Sequence, residues 1–166
     1  GVARRRDTYA PTAWLAGEPP ARVRVHASHK GSYGDVAVVG GAPGMTGAAL
    51  LAASAALYAG AGRVFVALLD GGSMAVAQQQ PELMFRVIDA LDFQAMTVVC
   101  GCGGGDVVRH HLARLISSPA HMVLDADALN AIAADINLAP CFTPVQHVAG
   151  RQYSRRIRLK LHDCWA

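Results

Sequence analysis

Short apolar runs rich in β-branched residues recur along the chain, and each ends at a glycine or an aspartate. They occupy residues 36–39, 64–69, 96–100 and 122–124. Runs of this length without polar alternation are typical of parallel strands that are buried on both faces of a sheet. Helix-forming stretches alternate with them, at residues 47–59, 73–80, 106–116 and 128–134. The sequence therefore predicts a three-layer α/β fold with four parallel strands between two layers of helices.

Residues with capping chemistry flank the predicted helices. Thr46 is expected to cap the first helix, and Gly60 or Gly62 to end it, while Ser73 and Asp106 are expected to cap the second and third. The first helix has almost no polar side chains, which predicts that a neighbouring helix or a second copy of the chain covers it. We therefore expect a homo-oligomer.

Composition narrows the class of protein. With 166 residues, 52% hydrophobic and 16% charged, the chain has material for one compact domain and is too apolar to be disordered. Glycines and turn residues interrupt every apolar run, so neither a membrane-spanning helix nor a secretory signal is expected, and the predicted location is the cytoplasm. The net charge of +3 comes from arginines near the two ends, without aromatic platforms, so no nucleic-acid partner is expected.

The pattern of predicted elements divides the chain into three parts. Residues 1–28 contain prolines and no periodicity and are predicted to be a leader or linker. The domain is predicted at residues 29–138, and residues 139–166 form a basic tail that follows neither the helix nor the strand period. Four strands are few for such a sheet, so the chain is expected to be the truncated, N-terminal half of a domain.

Glycines follow the first strand at the point where a ligand is expected. In an open parallel sheet, ligands bind beyond the carboxyl ends of the strands. Gly41, Gly44 and Thr46 lead directly into a helix N-terminus, where backbone amides favour a phosphate. The loop lacks the Lys of a P-loop, but its glycines and Asp70, after the next strand, imitate a dinucleotide fingerprint. A Rossmann-type NAD-binding oxidoreductase is therefore one alternative.

Two carboxylates stand at the end of the last predicted strand. If the chain stays extended there, Asp125 and Asp127 point the same way and could share a metal ion, with Asn130 near a bound phosphate. The alternative is that Asp125 closes the strand and Asp127 caps the following helix. The four cysteines, Cys100, Cys102, Cys141 and Cys164, offer one C-x-C and no zinc-like pattern, so free thiols are expected.

Six motifs in register carry a family resemblance over residues 29–138. They are the HKG-x-x-G string at 29–34, the strand and glycine loop through GMTGAA at 44–49, AGAG at 59–62, PELM at 81–84, GCG at 101–103 and LDADALN at 124–130. Together they resemble the ADP- or ATP-dependent NAD(P)H-hydrate dehydratases, which are carbohydrate-kinase-like proteins of ribokinase-like fold. These enzymes dehydrate the hydrated forms of NADH and NADPH at the expense of ATP or ADP.

The resemblance implies a site as well as a fold. Gly47, Ala48 and Gly103 would contact the hydrated cofactor, and Mg²⁺ would accompany the phosphates of ATP or ADP. Phosphorylation of the substrate hydroxyl would make it a leaving group. Cys102 stands where the family has proline, however, and residues 143–145 begin the family's TPHPGE segment without completing it.

The family's glycine-rich G-x-G-D segment, with its catalytic aspartate, is not found in this sequence. No catalytic residue is therefore assigned. The chain is expected to be inactive by itself, or to be a non-catalytic remnant that only binds a nucleotide.

Overall fold

The computed structural model describes residues 24–117, 121–135 and 137–138. Most of the predicted leader and the whole of the predicted tail lie outside the described residues, as do Cys141, Cys164 and residues 143–145. The described residues contain no helix that is long and apolar enough to cross a membrane.

A sheet of five strands forms the centre of the described part of the chain. The strands are β1 (Asp35–Gly40), β2 (Arg63–Leu68), β3 (Met84–Phe85), β4 (Met96–Cys100) and β5 (His121–Leu124). Their order is β3-β2-β1-β4-β5, and every pair is parallel. The parallel α/β prediction is confirmed, but the predicted number of four strands is wrong. The missed strand has only two residues, too few to show a period.

Within the described residues, three α-helices and three short 3₁₀ helices accompany the sheet. The α-helices are α1 (Thr46–Tyr58), α2 (Arg109–Ser117) and α3 (Ala126–Ala134), and the 3₁₀ helices are Lys30–Tyr33, Ile88–Ala90 and Gly105–Val108. The helix predicted at residues 73–80 is wrong, because turns occupy that segment. There Ser73 donates its hydroxyl to Asp70 and starts no helix.

The caps at the helix starts differ from the predicted ones, whereas the predicted ending of the first helix at Gly60 is confirmed. Met45 precedes α1 without a side-chain hydrogen bond, and Thr46 is the first helical residue rather than the cap. At the other end Gly60, with φ of 101°, donates to Leu57 while the next amide donates to Ala56, which is a Schellman ending. Asp106 lies inside the 3₁₀ turn before α2, so it is not the cap either.

Helices cover both faces of the sheet. Alternate residues of the central strands point to opposite sides, as the strand period requires. Val38, Val64 and Val66 pack with α1 on one face. Val39 and Val98 pack with α2 and α3 on the other. The three-layer prediction is confirmed, and the carboxyl ends of the strands are left to the connecting loops.

Candidate functional site

The loops after β1 and β4 are joined by backbone hydrogen bonds at the carboxyl edge of the sheet. The amide of Gly41 donates to the carbonyl of Cys102 at 2.9 Å, and the amide of Ala42 donates to Gly103 at 2.7 Å. The glycine loops after these two strands therefore share one rim, at the strand ends where the sequence predicts a ligand. Two loops that are 60 residues apart in sequence form one surface, which we call the rim (residues 40–48 and 101–105).

Glycines allow the two loops to approach this closely. A Cβ on Gly103, where φ is 60°, would lie 2.7 Å from the carbonyl oxygen of Met45 and 3.0 Å from the Cβ of Ala48. A Cβ on Gly40 would overlap the carbonyl oxygen of Cys102. Gly103 and Ala48, two of the three predicted substrate contacts, are thus neighbours across the rim.

The start of α1 presents backbone donors to the same surface. No carbonyl or side chain of the described residues accepts a hydrogen bond from the amide of Thr46 or Gly47. Gly44, with φ of 80°, turns the chain into the helix, and a Cβ added there would meet no atom within 4 Å. Unpaired amides and the helix dipole together favour an anion. Gly41, Gly44, Thr46 and Gly47 therefore lie where a phosphate-binding loop was predicted.

Cys102 lies beside the carboxylates that follow β5. Burial first, and then the charge of Asp125, a hydrogen bond to Asp125 and the charge of Asp127, together raise the pKa of its thiol to about 12. The thiol is consequently protonated at neutral pH and donates to Asp125. Sequence reasoning treated Cys102 only as a departure from the family, and a cysteine between glycines gave no signal of this contact.

Asp127 holds the loop after β4 in place. Its Oδ2 accepts a hydrogen bond of 2.9 Å from the backbone amide of Gly105. Asp125 precedes α3 with extended backbone but makes no side-chain cap, and Asp127 lies in the first helical turn. The chain does not stay extended as far as Asp127, as the shared metal ion would require, because α3 begins at Ala126. The alternative in which Asp127 caps the helix is wrong, since Asp125 occupies the cap position. The role of Asp127 is a link between α3 and the rim.

The described residues do not form a metal site by themselves. They contain no group of three or more His, Cys, Asp or Glu side chains that could hold an ion. Asn130 is exposed on α3. Because Asp127 is bound by an amide and Asp125 by a thiol, we derive no chemical step through a metal ion.

Asp70 belongs to a turn rather than to a ligand site. Its carboxylate accepts from the amides of Gly72 and Ser73, at 3.0 and 3.2 Å, and from the Ser73 hydroxyl. The Ser73 hydroxyl bond lowers the pKa of Asp70 most. The carboxylate that a Rossmann interpretation would assign to a ribose is therefore occupied by its own loop.

Comparison with known proteins decides between a Rossmann-type domain and the family that the six motifs resemble. Residues 36–148 match the carbohydrate-kinase family described as NAD(P)H-hydrate dehydratase. The chain belongs to the NAD(P)H-hydrate dehydratase family. The matched residues include both loops of the rim and the Asp125–Asp127 segment, so membership covers the whole candidate site.

Relatives with assigned functions agree with this membership. The chain is 42% identical over 121 residues to the ADP-dependent (S)-NAD(P)H-hydrate dehydratase of Neisseria meningitidis, covering 69% of this chain and 41% of the relative. It is 39% identical to a bifunctional NAD(P)H-hydrate repair enzyme of Coxiella burnetii, covering 72% of this chain and 26% of the relative. The chain thus spans about two fifths or less of the length of these relatives.

Solved structures confirm the ribokinase-like fold. An ADP/ATP-dependent NAD(P)H-hydrate dehydratase from Bacillus subtilis, co-crystallised with ATP and Mg²⁺, superimposes with a TM-score of 0.57 at 27% identity. The match covers 64% of this chain and 42% of that one. A ribokinase-like protein from Enterococcus faecalis superimposes with a TM-score of 0.59 at 20% identity, which supports the fold alone.

Proposed function

We propose that this chain provides the substrate-binding rim of an ADP- or ATP-dependent NAD(P)H-hydrate dehydratase. The observation that carries the proposal is the contact between Gly103 and Ala48, on a surface that also presents the unpaired amides of Thr46 and Gly47. The substrate is a hydrated NADH or NADPH, and its phosphates supply the anions that a helix N-terminus favours. The relatives named above support this substrate class.

The reaction class follows from the co-substrate of the relatives. In this proposal the terminal phosphoryl group of ATP or ADP passes to the hydroxyl of the hydrated ring. Phosphate then leaves as the C–O bond breaks, and a proton is lost from the neighbouring carbon. The residues described here bind and orient the substrate. None of them is assigned as the general base or as a ligand of the ATP or ADP that donates the phosphoryl group. Mg²⁺ would reside with the nucleotide phosphates, and the site of action would be the cytoplasm, on a small molecule and not on nucleic acid.

One substitution tests the role of the rim. Ala48→Leu places a branched side chain where the Cβ of residue 48 already faces Gly103 at contact distance. We expect it to weaken binding of hydrated NADH about tenfold or more, a loss of about 1.4 kcal/mol. Isothermal titration calorimetry on the purified chain measures the affinity, and the thermal unfolding midpoint verifies that the variant is folded.

Two further variants are the controls for this test. Ala55→Leu makes the same change at an exposed position of the same helix and is expected to leave the affinity unchanged. Asp70→Ala removes the carboxylate that a ribose would need in a Rossmann-type site, and it is also expected to leave the affinity unchanged. Loss of NADH binding in Asp70→Ala with full binding in Ala48→Leu would overturn the proposal in favour of an oxidoreductase domain.

A further inference from the structure

A cavity lies next to the rim, at the corner where β2 and β3 end. Its volume is about 570 Å³, which is within the range of small-molecule sites. Val66, Leu68 and Phe85 line it from the strands, and Val107 lines it from the 3₁₀ turn before α2. The floor of the cavity is therefore apolar and includes one aromatic ring.

The cavity has basic side chains and no acidic ones among its lining residues. Arg86 and His111 are its ionisable groups. Three aspartates adjoin its lining residues in sequence, and none of them lines it. Asp70 is bound by the amides and hydroxyl of its own turn, Asp89 is bound by Arg114 at 2.6 Å, and Asp106 is exposed before Val107. An occupant with an apolar, planar body and an anionic group is thus complementary to this cavity.

The cavity adjoins the rim without sharing a residue with it, and a ligand that leaves the cavity on this side meets the rim. Leu68 lines the cavity, and its Cδ2 would lie 2.8 Å from a Cβ on Gly41 of the rim. Val107 lines the cavity two residues after Gly105. Val87 and Val107 also line the cavity and are 69% and 37% exposed. Exposed apolar side chains at the mouth of a cavity are typical of a site that a ligand covers.

We propose that this cavity binds the nucleoside monophosphate end of the dinucleotide, that is, the end opposite the hydrated ring. The base would pack against Phe85 and the aliphatic side chains, and Arg86 and His111 would bind the phosphate group. This inference rests on the function proposed above, because a dinucleotide has a second nucleotide that must be placed within reach of the rim. Arg86 is then a specificity-determining residue, separate from the Gly103–Ala48 contact.

The test compares two half-ligands, nicotinamide mononucleotide and 5′-AMP, by calorimetry on the full chain. Arg86→Gln is expected to weaken binding of 5′-AMP about tenfold while leaving nicotinamide mononucleotide unchanged. Arg109→Gln removes an exposed arginine of α2 that does not line the cavity, and it should change neither affinity. Ala75→Trp fills the cavity from an exposed loop residue and should abolish 5′-AMP binding without loss of folding.

The outcomes separate this inference from the proposed function. If 5′-AMP does not bind, or binds Arg86→Gln and Ala75→Trp as well as the unchanged chain, the cavity assignment is wrong. In that case, sensitivity of nicotinamide mononucleotide binding to Ala48→Leu would leave the proposed function intact. If neither half-ligand responds to any of the variants, both proposals are wrong.

Discussion

Cys102 gives the first prediction, because its thiol lies at the rim beside two carboxylates. Burial and the neighbouring Asp125 and Asp127 raise its pKa to about 12. Since only the thiolate reacts, alkylation by iodoacetamide at pH 8 should be at least about 100-fold slower at Cys102 than at a cysteine introduced by Val25→Cys at an exposed position outside α1. Peptide mass spectrometry over time measures both rates in one protein.

The direction of the electrostatic effect has its own control. Asp125→Asn removes a negative charge and the acceptor of the thiol, both of which favour the protonated form. The pKa of Cys102 should therefore fall, and its alkylation at pH 8 should become faster. Equal rates in the two proteins would mean that burial alone protects the thiol.

At the residue scale, sequence patterns predicted which loops meet but not how their side chains are bound. Glycines after strands predicted the rim, and the family resemblance chose Ala48 and Gly103, which the structure places in contact. The patterns did not predict that Asp127 would bind the amide of Gly105, because that hydrogen bond joins residues 22 positions apart. Local spacing favoured a cap or a metal ligand, and tertiary contact decided otherwise.

At the element scale, the close approach of the loops after β1 and β4 predicts a difference between two glycines. A Cβ added at Gly40 would overlap the carbonyl of Cys102, and a Cβ added at Gly47 would meet nothing within 4 Å. Gly40→Ala should lower the free energy of unfolding by about 1–3 kcal/mol. Gly47→Ala should leave it unchanged or raise it by up to about 1 kcal/mol, because alanine favours the helix.

Urea denaturation followed by circular dichroism measures both changes. The comparison is matched, since each variant adds one methyl group to a glycine of the same segment. A larger loss of stability in Gly47→Ala than in Gly40→Ala would show that the loop contact does not hold the two elements together.

The elements themselves were predicted to different extents for physical reasons. β1, β2, β4 and β5 were found because each is an apolar run buried on both faces. β3 was missed because two residues, Met84 and Phe85, cannot show a pattern, and only their pairing with β2 makes them a strand. The helix predicted from Ser73 is wrong because the Ser73 hydroxyl, which was expected to cap it, is bound to Asp70 in a turn.

At the scale of the whole molecule, α1 predicts self-association. Leu51 and Tyr58 are 75% and 83% exposed, and with Ala55 they form an apolar stripe on one side of the helix. Leu51→Glu should shift the chain towards the monomer at micromolar concentration, as measured by light scattering after size exclusion. Val25→Glu makes the same kind of change at an exposed residue outside α1 and is the control, which should leave the oligomeric state unchanged. A stable monomer of the unchanged chain at this concentration would refute the expected homo-oligomer.

The last prediction concerns turnover by a polypeptide of these 166 residues alone. The matched segment covers 41% of the Neisseria relative, and the rim, which has no Lys, Arg or His of its own, offers a phosphate its backbone amides and the dipole of α1. An exposed helix N-terminus stabilises a charge by about 0.3–1 kcal/mol, and a partly buried one by up to about 2 kcal/mol, which suffices for loose binding.

Loose binding does not make a phosphoryl transferase, because positioning and charge stabilisation supply most of the rate of that reaction. We therefore expect the 166-residue polypeptide to bind hydrated NADH without dehydrating it. A steady-state assay with hydrated NADH, ATP and Mg²⁺, following the recovery of NADH absorbance, measures this. Turnover of roughly 1 s⁻¹, within the range of ordinary enzymes, would contradict the prediction. If Asp125→Asn then lost that turnover and Asp70→Ala kept it, Asp125 would be assigned the role of the family's catalytic aspartate.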